Sequence, residues 1–207
     1  MVIRLTHFGI VAFAAISFLI QSGCTRAPSR IVPPSINADT AGQEALKMYD
    51  TNKDGKISGA ELDKAPALKQ GLTNFKSTPE KGVTAADITT RIIAWQGTKV
   101  GRIGSVTCSV TRGGKPVAGA EVKFVPEKFL GDTMPVCTGT TGPDGYAPMS
   151  APVNGPDDAP GVPPGYYRVE ITKPGETIPA KFNTQTIFGE EVCPDKRRLT
   201  GYDYDLK

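Results

Sequence analysis

Histidine is nearly missing from this sequence: its one copy, His7, stands close to the start. Once the leading segment is removed, as argued below, no Ser-His-Asp or Cys-His site can be built, nor a zinc or iron centre held by imidazole. Carboxylate or lysine catalysis stays open chemically, but no motif points to it, so the expectation is a protein that is not an enzyme. Tryptophan is as scarce, with Trp95 alone, and aromatics make up only 7 % of the residues, too few for an obvious stacking platform. An excess of one charge is also lacking. Arg4 is the only charged residue before position 24, so loss of the leader leaves 23 basic against 21 acidic residues, a balance of +2. With no Lys/Arg cluster interleaved with aromatics, nucleic acid is excluded as a partner. What the chain does have is glycine (23) and proline (18), which suits short strands joined by many turns. Its 207 residues suffice for one or two domains with real cores.

The one long apolar run, Phe8 to Ile20, follows Arg4 and is thirteen residues long. That is short for a bilayer span and suits the core of a signal peptide. It ends in Gln21-Ser22-Gly23-Cys24, which resembles the bacterial lipobox, although Gln21 stands where an aliphatic or small residue is usual. The resemblance implies cleavage after Gly23, diacylglycerol on Cys24, and a membrane-anchored protein of the cell envelope, periplasmic or on the outer surface. The alternative is an ordinary secreted chain. Residues 24–39, with Pro28, Pro33 and Pro34, then read as a flexible tether.

From Asp50 to Glu61 the chain reads D-T-N-K-D-G-K-I-S-G-A-E. A hard cation such as Ca²⁺ takes six to eight oxygen ligands, and one tightly wound loop can gather them. Asp50, Asn52 and Asp54 offer side-chain oxygens at loop positions one, three and five. Gly55 permits the turn, Lys56 offers its carbonyl, Ser58 acts directly or through water, and Glu61 closes the site with a bidentate carboxylate. Ile57 is the apolar residue that would bridge to a partner loop. An Asp/Gly-rich surface turn explains some of these positions but not all of them together. The expectation is an EF-hand site for one Ca²⁺.

A shift of 26 residues aligns Ile57-Ser58-Gly59-Ala60-Glu61-Leu62 with Val83-Thr84-Ala85-Ala86-Asp87-Ile88. Upstream, the liganding positions have become Lys76, Thr78 and Glu80, with Pro79 between them. A lysine at the first position should keep calcium out, so this second hand is read as structural, with Val83 pairing to Ile57. The helix after it, Asp87 to Gln96, places Ile88, Ile92 and Trp95 on one face, with Ile93 beside them. Pro66 is expected to end one helix and start another, Ala67 to Phe75.

After Lys99 the apolar period changes to two. Val106, Cys108 and Val110 alternate with polar residues, and further strands follow at 120–125, at 165–171 and around Tyr202, Tyr204 and Leu206. Turns at such spacing favour an antiparallel sandwich. The runs G-K-P-V-A-G-A-E-V-K-F (114–124), T-G-P-D-G-Y (141–146) and P-G-Y-Y-R-V-E-I (164–171) resemble the carboxypeptidase regulatory-like domain, a transthyretin- or immunoglobulin-like sandwich of extracellular proteins. That resemblance implies a fold and a location but no catalytic residues. Behind an EF-hand pair and a lipobox, it makes the whole similar to bacterial envelope lipoproteins. Cys108 reads as a buried free thiol. Cys137 and Cys193, near strand ends, are candidates for a disulfide in an exported protein, with two free thiols or another pairing as alternatives. The stretch 152–164, with Asp157 and Asp158, lacks ligand spacing and reads as a solvated loop.

The expectation is therefore a multi-domain α + β chain. It comprises a signal peptide (1–23), a tether (24–39), a small helical EF-hand pair (40–98) and an antiparallel β-sandwich (99–207). Its function would be that of a calcium-binding, membrane-tethered envelope lipoprotein whose sandwich is structural or binds an envelope protein or polysaccharide. The alternatives are a dockerin-like, calcium-dependent docking module and a carbohydrate-binding protein.

Overall fold

A computed structural model of the chain describes residues 33–154, 158–195 and 200–207. The signal segment, Cys24, most of the expected tether and Asp157 lie outside the described residues. The protein mixes helices and sheets, with the sheets in its second half.

Helix α1 (Ala38–Tyr49) starts where the Asn37 side chain accepts the Thr40 N–H at 3.0 Å. It buries Ala41, Gly42, Ala45 and Tyr49 on one side. Facing it is α3 (Ala85–Gly97), opened by a capping box between Thr84 and Asp87 and burying Ile88, Ile92 and Trp95. Ile93, expected beside that apolar face, is exposed. The two helices meet closely at Gly42, where a Cβ would come within 2.5 Å of the Ala85 carbonyl oxygen. Between them the short strands β1 (Lys56–Ile57) and β2 (Val83–Thr84) pair antiparallel, with Ile57 opposite Val83 as expected. The segment leaving the first loop is a 3₁₀ turn, Gly59–Asp63. Pro66 then begins α2 (Pro66–Gln70), whose continuation, Gly71–Thr73, is again 3₁₀.

One sheet is built on β3 (Thr107–Arg112). Its antiparallel neighbours are β4 (Lys115–Pro116) and β7 (Tyr146–Pro148), and its parallel neighbour is β10 (Thr200–Asp205). The other has the order β6 (Cys137–Thr140), β5 (Glu121–Pro126), β8 (Gly165–Thr172), β9 (Gly189–Val192), antiparallel throughout. Their apolar faces meet: the rings of Phe124 on β5 and Tyr202 on β10 make an edge contact at 6.0 Å. Tyr202, Tyr204 and Leu206 are buried, as their alternation implied. The all-antiparallel expectation is corrected by β10. The final strand returns beside the first long strand of the β-rich half and runs in its direction. Such a long crossover leaves no local trace in the chain.

The buried residues form one cluster that runs from the helices into both sheets. Gly189 marks the tightest point, since a Cβ there would lie 2.2 Å from the Ala67 backbone nitrogen, so β9 can press against α2 only without a side chain. The end of the segment expected as a tether, residues 35–39, is seated on the folded part. Ile36 is buried, its carbonyl accepts the Gln96 side-chain amide at 2.7 Å, and the Ser35 carbonyl accepts the Thr133 hydroxyl at 3.0 Å. Residues 35–39 therefore dock on the folded part, because an apolar side chain and two otherwise unpaired carbonyls find partners there.

Candidate metal centre

The Asp50–Glu61 loop is closed by its own carboxylates. Asp50, at the C-cap of α1, accepts the N–H of Asp54 (3.2 Å) and of Gly55 (2.9 Å). Asn52 Oδ1 accepts the Asp54 N–H at 2.9 Å, and Asp54 Oδ1 accepts the Lys56 N–H at 3.1 Å. Three positive φ angles, Lys53 at 60°, Gly55 at 87° and Gly59 at 51°, let the chain wind this tightly; Gly55 is where glycine was expected.

Glu61 reaches back across the whole loop. Its Oε1 accepts the N–H of Thr51 (2.7 Å) and of Asn52 (3.2 Å) and the Thr51 hydroxyl (3.0 Å). Its Oε2 accepts the Ser58 N–H at 3.1 Å, completing a capping box with Ser58. These donors, Ser58 N–H first, hold the Glu61 carboxyl below its ordinary range, so it stays ionised inside the fold. Thr51, at loop position two, is not among the residues the ligand spacing marks, although both its neighbours, Asp50 and Asn52, are.

Asp50, Asn52, Asp54, Lys56, Ser58 and Glu61 thus share one loop, with the β1–β2 pair behind it. Among the described residues, no three acidic, cysteine or histidine side chains converge on a point suited to a metal ion. In the loop the carboxylates spread over backbone N–H groups instead, which neutralise them in part. The donor set still fits a hard cation. It has three carboxylates, an amide, a hydroxyl and a main-chain carbonyl within twelve residues, and no soft sulfur or imidazole competes.

The 76–87 segment has the same back half and a different front. Thr84 and Asp87 form the same capping box as Ser58 and Glu61. Upstream, Ser77 and Thr78 tie themselves to Gly82: the Ser77 hydroxyl donates to its carbonyl at 2.5 Å, and its N–H reaches the Thr78 carbonyl at 2.9 Å. The Pro79 carbonyl accepts the Gly59 N–H at 2.8 Å, so this loop props up the first one.

The other expected sites come out as follows. Cys108, Cys137 and Cys193 are all buried free thiols, and the Cys137–Cys193 disulfide is not formed. The two cysteines lie at opposite edges of the β6-β5-β8-β9 sheet, three strand steps apart, or about 14 Å. A bridge needs Cα atoms within about 7 Å. Burial pushes each thiol up to about 12, so none is a ready nucleophile. Asp158 pairs with Arg102, which also donates to the Pro152 and Ala159 carbonyls; the loop is organised by a guanidinium rather than by ligand spacing.

Two buried carboxylates that the sequence did not mark lie between helices and sheets. Glu191 on β9, 1 % exposed, accepts Arg91 Nε at 2.5 Å, Trp95 Nε1 at 3.0 Å and the Asn74 side-chain amide. The Arg91 guanidinium also grips Asp195 and holds that carboxyl down to about 2. Glu127, just after β5, is equally buried, and its Oε2 accepts the Tyr49 hydroxyl at 2.8 Å. Burial raises its carboxyl to about 7 against the opposing pull of the Tyr49 hydroxyl and Arg168. Their separation from these partners, roughly 80 to 120 residues along the chain, hides both from local pattern reading.

No family model, curated protein or solved structure matches this chain. Fold and loop together define a mixed α + β protein in which a paired helix-loop-helix unit is joined to two four-stranded sheets.

Proposed function

We propose that this chain is a calcium-binding, non-enzymatic lipoprotein of the cell envelope, held to a membrane through Cys24. A single Ca²⁺ in the Asp50–Glu61 loop would stiffen a β-rich half of transthyretin- or immunoglobulin-like sandwich form that is structural or binds an envelope partner. The observation that carries this reading is Glu61: it spans the loop from Thr51 to Ser58 from a buried position, while Ile57 is clamped to Val83. Asp50, Asn52, Asp54, the Lys56 carbonyl, Ser58 and Glu61 would hold the ion. A bound Ca²⁺ would add positive charge beside three carboxylates that the loop's own N–H groups neutralise only in part. The residues themselves do the positioning. Asp50 is set by the last turn of α1, Glu61 by its 3₁₀ turn, and the two join the ends of the helical unit.

Binding confined to the folded state stabilises it by mass action, which makes a staple of the site. Extracellular calcium suits even a weak loop, with Kd of about 10⁻⁴–10⁻³ M. The non-enzymatic reading is supported by the absence of histidine beyond His7. Calorimetric titration of Ca²⁺ into the wild-type chain and Glu61→Gln tests the proposal. One site in the first and none in the second is expected. Equal affinity in both would remove the loop from the argument.

A further inference from the structure

Glu127 presents a problem that its surroundings only half solve. Its Oε2 has the Tyr49 hydroxyl, but its Oε1 is buried without a hydrogen-bond partner. A carboxylate in that position leaves half of its charge unsolvated, whereas a neutral carboxyl leaves only a weak acceptor or donor unmet. The groups that face it are Tyr49 from α1 and Arg168 from β8. The Tyr166 hydroxyl, from the same strand as Arg168, lies instead in the field of Glu191 and Arg91. Phe129, two residues on, meets the Tyr49 ring edge-on at 6.4 Å. The Glu127 backbone is anchored, its N–H donating to the Tyr166 carbonyl at 2.9 Å, so the side chain cannot leave without parting α1 from the sheet.

We propose that Glu127 is a proton-operated latch between α1 and the β6-β5-β8-β9 sheet: the neutral carboxyl keeps the seam shut, and its ionised form loosens it so that water reaches Oε1. The latch sits at the last residue of α1 before the Asp50 loop, and its test is run in chelator so that calcium plays no part in the readout.

The direction follows from where the carboxyl titrates. Its value in the fold, about 7, lies above the 4.5 of a free glutamate. The stability it contributes is therefore fully present below pH 4.5 and is lost as pH rises through 7. Glu127→Gln keeps the shape of the neutral form and cannot ionise. In chemical denaturation of the full chain, the ratio of folding constants, Glu127→Gln over wild type, should climb on the order of 100-fold between pH 4.5 and 8. Over the same range, amide exchange in the wild type should accelerate beyond its intrinsic pH dependence at the end of α1 and at 127–130. The centres of β5 and β8 should not follow. A ratio constant with pH would overturn the latch.

A second measurement stands even if that variant folds poorly. The carboxyl carbon of Glu127, followed by NMR in the wild-type chain, should titrate near neutrality. In Tyr49→Phe, which loses the hydrogen bond favouring the ionised form, the midpoint should move higher. A midpoint in the ordinary glutamate range of about 4.3, or one indifferent to Tyr49→Phe, would overturn the proposal.

Discussion

The loops at 50–61 and 76–87 carry the same frame and differ in what fills it. Each has a β-bridge residue, Ile57 or Val83, and each ends in a capping box, Ser58 with Glu61 or Thr84 with Asp87. The front halves diverge. In the first loop, Asp50, Asn52 and Asp54 turn their oxygens onto the loop's own N–H groups. In the second, Lys76, Thr78 and Glu80 stand at those positions, and the turn is closed through Gly82. Its positive φ angles fall at Lys76 and Gly82, whereas the first loop has them at Lys53, Gly55 and Gly59. The frame is therefore separable from the proposed ligand set: the second loop keeps the pairing, and only the first keeps the oxygens.

That separation can be attacked from the frame first. Ile57 is wholly buried, and Ile57→Ala should destabilise the chain by about 3 kcal/mol through lost burial and a cavity. Val83→Ala, on the other loop, should cost about 2 kcal/mol by the same route. Denaturation midpoints in chelator check both. If either were silent, the two loops would not form one folding unit. The ligand set is next: Glu61→Gln should weaken Ca²⁺ binding at least about 100-fold, or about 2.7 kcal/mol, in calorimetry. The smallest effect sharpens the comparison most. Restoring ligands with Lys76→Asp, Thr78→Asn and Glu80→Asp together should leave the stoichiometry at one ion, because the backbone turn stays at Gly82. A second bound ion in that variant would mean that side chains alone had been missing.

What could be read in advance shares one property: it is local. The loop and the helix face of Ile88, Ile92 and Trp95 each lie within about a dozen residues, and the repeat that pairs Ile57 with Val83 spans only 26. Proximity along the chain there translates directly into proximity in space. The strands of the second half were legible for the same reason, Tyr202 and Tyr204 by their period of two. The docking of residues 35–39 was not, since a proline-rich stretch looks the same whether its end is free or seated. Ile93 misled because a helix face is bounded by what packs on it, and the described residues leave Ile93 exposed.

By itself, then, the sequence determined the elements and the oxygen-bearing loop, because backbone preference, side-chain period and the spacing of oxygen-bearing side chains act over short separations. Only the tertiary structure decided that β10 runs parallel to β3, that Cys137 and Cys193 sit at opposite sheet edges, and that Glu127 and Glu191 are sealed between helices and sheets. Each of those depends on which distant segments share the core. That choice follows from closing one continuous apolar interior, a condition on the whole chain that no short window contains.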